Sequence, residues 1–106
     1  MLGFSNIMIG THDPKILGEY YKEVLEIDPD MEDGGWYGWQ VGNTYFSVGE
    51  HSEVKGKAKE PQRIIINFES DQVKEEFERI KKIEGPIIGN IVWRLHASQF
   101  CTTFVA

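Results

Sequence analysis

Cysteine is almost missing from this chain of 106 residues; Cys101 stands alone. No internal disulfide can form, so the expected setting is a reducing one, the cytoplasm. Long apolar runs are missing too, and no stretch nears the roughly 18 residues that would mark a membrane span. The opening MLGFSNIMIG has neither the basic start nor the long apolar centre of a secretory signal. Basic residues are outnumbered, 11 Lys and Arg against 17 Asp and Glu, for a net charge of −6. That balance argues against nucleic acid and against an anionic membrane surface, which both require a basic face. A C-x-x-C pair, a G-x-G-x-x-G loop, a Walker loop and an H-E-x-x-H helix are all absent from the sequence.

What is present suffices for one domain. The chain is 41% hydrophobic and 26% charged, and it can form a core without covalent staples. Alternation over Phe4 to Thr11 predicts a strand, with Ile7, Ile9 and Thr11 on one face and Asn6, Met8 and Gly10 on the other. Asp13 followed by Pro14 predicts a capped helix start. The stripe Ile16, Leu17, Tyr20, Val24 and Leu25 carries that helix to about Glu26, where Asp28-Pro29 ends it. Gly34-Gly35 opens a strand from Trp36 to Val41, Gly42-Asn43 is a two-residue hairpin turn, and Thr44 begins the return strand. The lysine-rich SEVKGKAKEP that follows reads as a loop or weak edge strand.

A second strand and helix then appear in RIIINFESDQVKEEFERI, Arg63 to Ile80. Ile64, Ile66 and Phe68 share one strand face, and Arg63, Ile65 and Asn67 share the other. Ser70 is the expected cap, and Val73, Phe77, Ile80 and Ile83 form the helix stripe, with Lys74, Glu75, Glu78, Arg79, Lys81 and Lys82 on a solvated face. Gly85-Pro86 stops the helix. A strand from Ile87 to about Leu95 and a last short strand within HASQFCTTFVA complete the reading. Shifted by 57 positions, Ile7 falls on Ile64, Ile9 on Ile66, Asp13 on Ser70 and Tyr20 on Phe77, which points to an internal duplication. Two such units, each with a helix on one sheet face, would leave their other faces to line a shared concave surface suited to a small molecule.

The order strand, helix, strands, strand, helix, strands resembles the vicinal oxygen chelate superfamily, which includes glyoxalase I, bleomycin-resistance proteins and extradiol dioxygenases. EYYKEVLEID resembles the end of that family's first helix, and RIIINFESDQVKEEFERIKK the start of its second module; the likeness runs from about Phe4 to Trp93. It implies an α+β fold of paired βαβββ-type modules, about 1–60 and 61–106, forming an incomplete curved barrel that is often dimeric. Only 22 residues follow from Gly85, so the second module is expected to be short by about one strand, with an open sheet edge that a partner chain would cover.

The family's enzymes hold a divalent metal through inward-facing side chains, which polarises vicinal oxygens of the substrate. Placed on the resemblance, the first-module ligand position falls at Asn6 and its counterpart at Arg63. An amide oxygen is a poor transition-metal ligand and a guanidinium is none. The standard metal site is therefore expected to be absent. A one-sided site using Glu50 or His51 is the remaining metal candidate. His12 reads as a turn residue, and Cys101 as a structural or surface thiol.

The expected ligand-binding residues are Asn6, Met8, Arg63, Asn67, Trp36, Trp39, Tyr45 and Trp93. Arg63 would hold an anionic group of a ligand, or form a salt bridge with an acid such as Glu50 or Glu32. The aromatic residues would stack on a planar ligand, fill the core, or make a dimer contact. The leading expectation is a cytoplasmic, homodimeric small-molecule binder for planar or anionic compounds, without metal or other cofactor. The alternatives are a metal-dependent lyase, isomerase or dioxygenase with altered ligands, and a degenerate member that only dimerises. Fold alone does not choose among them.

Overall fold

The computed structural model describes residues 1–56, 59–60, 63–64, 66–83, 87–93 and 99–104, the last two stretches as backbone. The chain divides into two compact units, Met1–Gly56 and Lys57–Ala106. Among the described residues the fold is α+β, with a mixed four-stranded sheet in unit 1, a three-stranded antiparallel sheet in unit 2, and one helix in each. Neither sheet closes on itself.

Unit 1 runs β1 (Asn6–Thr11), α1 (Pro14–Leu25), β2 (Met31–Glu32), β3 (Trp36–Val41) and β4 (Thr44–Glu50). In space the order is β1-β4-β3-β2, with β1 parallel to β4 and the other pairs antiparallel. Local chemistry sets most of these boundaries. The Asp13 carboxylate accepts a hydrogen bond from the Ile16 N–H at 3.2 Å, and Pro14 begins the helix where its missing N–H costs nothing. Glu26 ends α1 in the left-handed conformation, and its N–H donates to the Lys22 carbonyl at 3.0 Å. Between β3 and β4, Gly42 has φ +57° and Asn43 does not turn positive, the pattern of a type II′ hairpin turn.

The strand β2 has no counterpart in the sequence reading. It is two residues long, and Asp30 holds it in place. The Asp30 N–H donates to the Gly38 carbonyl at 2.7 Å, and its carboxylate accepts from the Gln40 N–H at 2.8 Å.

The core of unit 1 lies between α1 and one face of the sheet. Leu17, Tyr20, Tyr21 and Val24 of the helix meet Tyr37, Trp39, Phe46 and Val48, all buried. Tyr21 and Phe46 pack edge to face at 4.8 Å between ring centres, and Tyr37 stacks on Trp39 at 6.1 Å. Fully burying side chains of this size contributes about 1.5–3 kcal/mol each, so this layer dominates the stability of unit 1.

Unit 2 runs β5 (Ile66–Glu69), α2 (Val73–Ile80), β6 (Ile87–Trp93) and β7 (Gln99–Phe104), in the order β5-β7-β6. Three expectations need correction. The strand starts at Ile66, so Arg63 and Ile64 precede it; Arg63 sits in a short turn where its N–H donates to the Glu60 carbonyl at 3.0 Å. The helix is capped at Gln72 with no side-chain bond, while Ser70 Oγ accepts from the Gln72 N–H at 3.0 Å. The helix stops at Ile80 and spans 8 residues against 12 in α1. Ile66 and Phe68 are half-buried and Asn67 and Glu69 exposed, so the alternation expected for this strand is present where the strand forms. Among the described residues no helix is long and apolar enough to cross a membrane.

Candidate functional site

Residues paired across a ladder share a sheet face, and successive residues alternate. The registers of unit 1 therefore sort its side chains into two sets. Ile7–Phe46–Trp39 and Ile9–Val48–Tyr37 form rows on the face covered by α1. Asn6–Tyr45–Gln40, Met8–Ser47–Gly38 and Gly10–Gly49–Trp36 form rows on the open face. Four of the expected ligand-binding residues, Asn6, Met8, Trp36 and Tyr45, thus share one surface.

This surface has a definite relief. A Cβ at Gly38 would lie 2.0 Å from the Tyr45 hydroxyl oxygen, and one at Gly49 would lie 2.5 Å from the Trp36 ring. Both distances are impossible for real atoms, so glycine at these two positions is what lets the rings lie flat on the strands. Tyr45 crosses from β4 onto β3, and Trp36 crosses from β3 onto β4. Both rings stay half-exposed, while Gly38, Gly49 and Ser47 are buried. Ser47 Oγ donates to the Ile7 carbonyl at 3.5 Å, a weak bond that ties β4 to β1.

Asn6 and Gln40 stand on either side of Tyr45 in the same row, both exposed. Their amides make only local bonds, Asn6 Nδ2 to Ser5 Oγ at 3.0 Å and Gln40 Nε2 to the Gly42 carbonyl at 3.0 Å. Met8, 38% exposed, adds an apolar edge on β1. Gln40 and Ser47 were missed in the sequence, although counting by twos from Trp36 and from Tyr45 reaches them.

The other expected site residues lie elsewhere. Trp39 is fully buried on the helix-covered face, and its indole N–H donates to the Ile27 carbonyl at 2.9 Å. It is a core residue, because it stands three positions from Trp36 and so points the opposite way. Arg63 pairs with Glu60, both exposed, which realises the salt-bridge reading with a different acid. Asn67, exposed on β5, is the register partner of Cys101, whereas Trp93 partners Phe100, itself the partner of Phe68. Asn67 and Trp93 therefore fall in alternate rows of the unit 2 sheet and do not share one.

The metal candidates do not converge with Asn6. Glu50 is the register partner of Thr11, in the row on the far side of β1 from Asn6 and Met8. The His51 N–H donates to the Thr11 carbonyl at 2.9 Å, and its Nδ1 accepts from the Glu53 N–H at 3.2 Å. Among the described residues no three His, Cys, Asp or Glu side chains come together in a way that could hold a metal ion. Asn6, Glu50 and His51 thus do not form the ligand set that the resemblance implies.

The shifted titrations of unit 1 lie on the other side of the sheet. Burial pushes the hydroxyls of Tyr20 and Tyr21 well above the ordinary tyrosine value, and Tyr20 adds to the effect at Tyr21. Tyr37 is also raised, first by burial and then by the Glu19 carboxylate, to which its hydroxyl donates at 3.5 Å. No strand position of the open face is Asp, Glu, Lys or Arg, but the His51 side chain packs against Gly10 at one end of it, and the Asp30 carboxylate accepts from the Gln40 N–H at the other. Comparison of the chain with protein-family models, with curated proteins and with solved structures returns no match.

Proposed function

We propose that the chain binds a small planar molecule on the open face of unit 1, as a protein of the vicinal oxygen chelate type that lacks the group's usual metal. The observation that carries this reading is the pair of rings, Trp36 and Tyr45, laid flat over Gly49 and Gly38 with their faces half open. Flat, pre-positioned rings lose little freedom when a planar partner stacks on them. Asn6 and Gln40 offer amide donors and acceptors at the edge of such a ligand, which would fix its orientation.

The family resemblance gains support from the order strand, helix and three strands in unit 1, with its first and last strands parallel. The shorter unit 2 agrees with a reduced second module. A metal-dependent lyase, isomerase or dioxygenase would have to build its site on Glu50 or His51, because the Asn6 amide oxygen is a poor metal ligand. The homodimer rests on open sheet edges, β5 and β6 in the three-stranded sheet of unit 2, where it was expected, and β1 and β2 in unit 1, and the cytoplasmic location on the single cysteine.

The test is a titration of wild-type protein and Trp36→Ala with planar aromatic compounds, read by calorimetry. Saturable binding should weaken roughly 2- to 12-fold in the variant, the equivalent of about 0.5–1.5 kcal/mol for one ring contact. Binding that neither Trp36→Ala nor Tyr45→Ala alters, or no saturable binding by any compound, would overturn the proposal.

A further inference from the structure

The two units differ in charge far more than in size. Residues 1–56 hold ten Asp and Glu against three Lys and Arg, a net charge of −7. Residues 57–106 hold seven against eight, a net charge of +1. The acidity of the chain is thus entirely that of unit 1, the unit that carries the open aromatic face.

The strands of the face itself contribute no formal charge. Its ten strand positions are Asn6, Met8, Gly10, Tyr45, Ser47, Gly49, Trp36, Gly38, Gln40 and Met31, none of them Asp, Glu, Lys or Arg, and among the described residues the titratable ring beside them is His51, packed on Gly10. Two influences then act on whatever stacks there. The faces of Trp36 and Tyr45 carry the negative side of the ring quadrupole, which attracts a cation. The surrounding unit adds a negative field, which draws cations and repels anions over about a Debye length.

We infer that the ligand of the open face is a planar cation, one whose positive charge is spread over a flat ring system. This inference rests on the seat proposed above and adds the sign of its occupant. Asn6 and Gln40 can present their amide oxygens to N–H or polarised C–H groups at the edge of such a ring. No carboxylate in the face is needed, because the rings and the field of unit 1 supply the attraction.

Three probes of one shape separate the charge from the stacking: N-methylacridinium, acridine kept neutral at pH 8, and anthracene-9-carboxylate. Calorimetric titration at low salt should rank them cation, neutral, anion, with the cation roughly five- to tenfold tighter than the neutral ring. The advantage should shrink as salt rises from about 0.02 to 0.5 M, when the Debye length falls to a few ångströms. Trp36→Ala should narrow the gap between cation and neutral ring, and Trp36→Phe should retain part of it. Equal affinities, or a preference for the anion, would overturn the inference while leaving the seat intact. Failure of all three probes to bind would overturn the seat and the inference with it.

Discussion

In unit 1 the chain makes a strand, a helix and three further strands, and β4 returns beside β1 in the same direction. The described residues of unit 2 make a strand, a helix and two further strands, and β7 returns beside β5 in the opposite direction. Both outcomes follow from one rule. The strand after the helix runs with the first strand in each unit, as a helical crossover allows. Each antiparallel link then reverses the chain, twice in unit 1 and once in unit 2. Removing one strand therefore flips the last pairing, so unit 2 differs from unit 1 in topology as well as in length.

The helices differ in the same sense. Five residues of α1 are buried against one, Ile80, in α2, and α1 has a side-chain cap where α2 has none. The outer face of α2 instead carries ion pairs one turn apart, Lys81–Glu78 at 2.8 Å and Arg79–Glu76 at 2.5 Å. Such pairs contribute only a few tenths of a kcal/mol each.

The contrast breaks most sharply at Trp39. Trp39→Ala should lower stability by about 3–5 kcal/mol, through the cavity and the lost bond to Ile27. Hydrogen exchange read by mass spectrometry should place the loss first in the peptides of residues 1–56; an equal loss confined to residues 57–106 would contradict the core described here.

Alkaline pH should come next, and it acts on unit 1 because all four tyrosines lie there. The folded-state values of Tyr20, Tyr21 and Tyr37 are raised above the unfolded one. Below pH 10 both states keep these protons, and stability is unaffected. Above it the unfolded chain ionises first, so stability falls as pH rises, by about 1.4 kcal/mol per pH unit for each such group. Denaturant midpoints between pH 9 and 11.5, with tyrosinate absorbance alongside, would check this; a midpoint that does not move across that range would count against the buried tyrosine layer.

The smallest effects sharpen the comparison of caps. Asp13→Ala should cost about 1 kcal/mol, whereas Gln72→Ala should change stability by less than about 0.5 kcal/mol. Thermal or urea unfolding of the two variants reads the difference, and equal costs would show that α1 does not depend on its cap.

Unit 1 was legible in the sequence because its signals are local. Asp13-Pro14 fixes a helix start, Gly42-Asn43 fixes a turn, and alternation fixes two sheet faces, all within a few residues of chain. The short β2 was not legible, since Asp30 holds it through bonds to Gly38 and Gln40, several residues away. Trp39 was placed with Trp36 because both are aromatic, although their odd spacing already separated them. Arg63 was placed by sliding unit 1 along the chain, and that shift carried the strand start three residues too early. The Glu60–Arg63 turn occupies the positions where β5 was expected to begin. Pattern matching found the second unit but could not see that a turn displaced its first strand. Among the described residues the strand and helix recur in unit 2, but the side-chain cap does not.

The direction of the closing strands also decides how each unit would answer a pull on its ends. In unit 1, tension enters at the start of β1 and the finish of β4, at opposite ends of a parallel pair, so the bonds between Asn6–Tyr45 and Thr11–Glu50 bear the load together in shear. In unit 2, the start of β5 and the finish of β7 lie at one end of an antiparallel pair, and the bonds from Ile66–Thr102 onward would open one after another like a zip. A single strand more or less thus makes the difference between a mechanical clamp and a peelable seam.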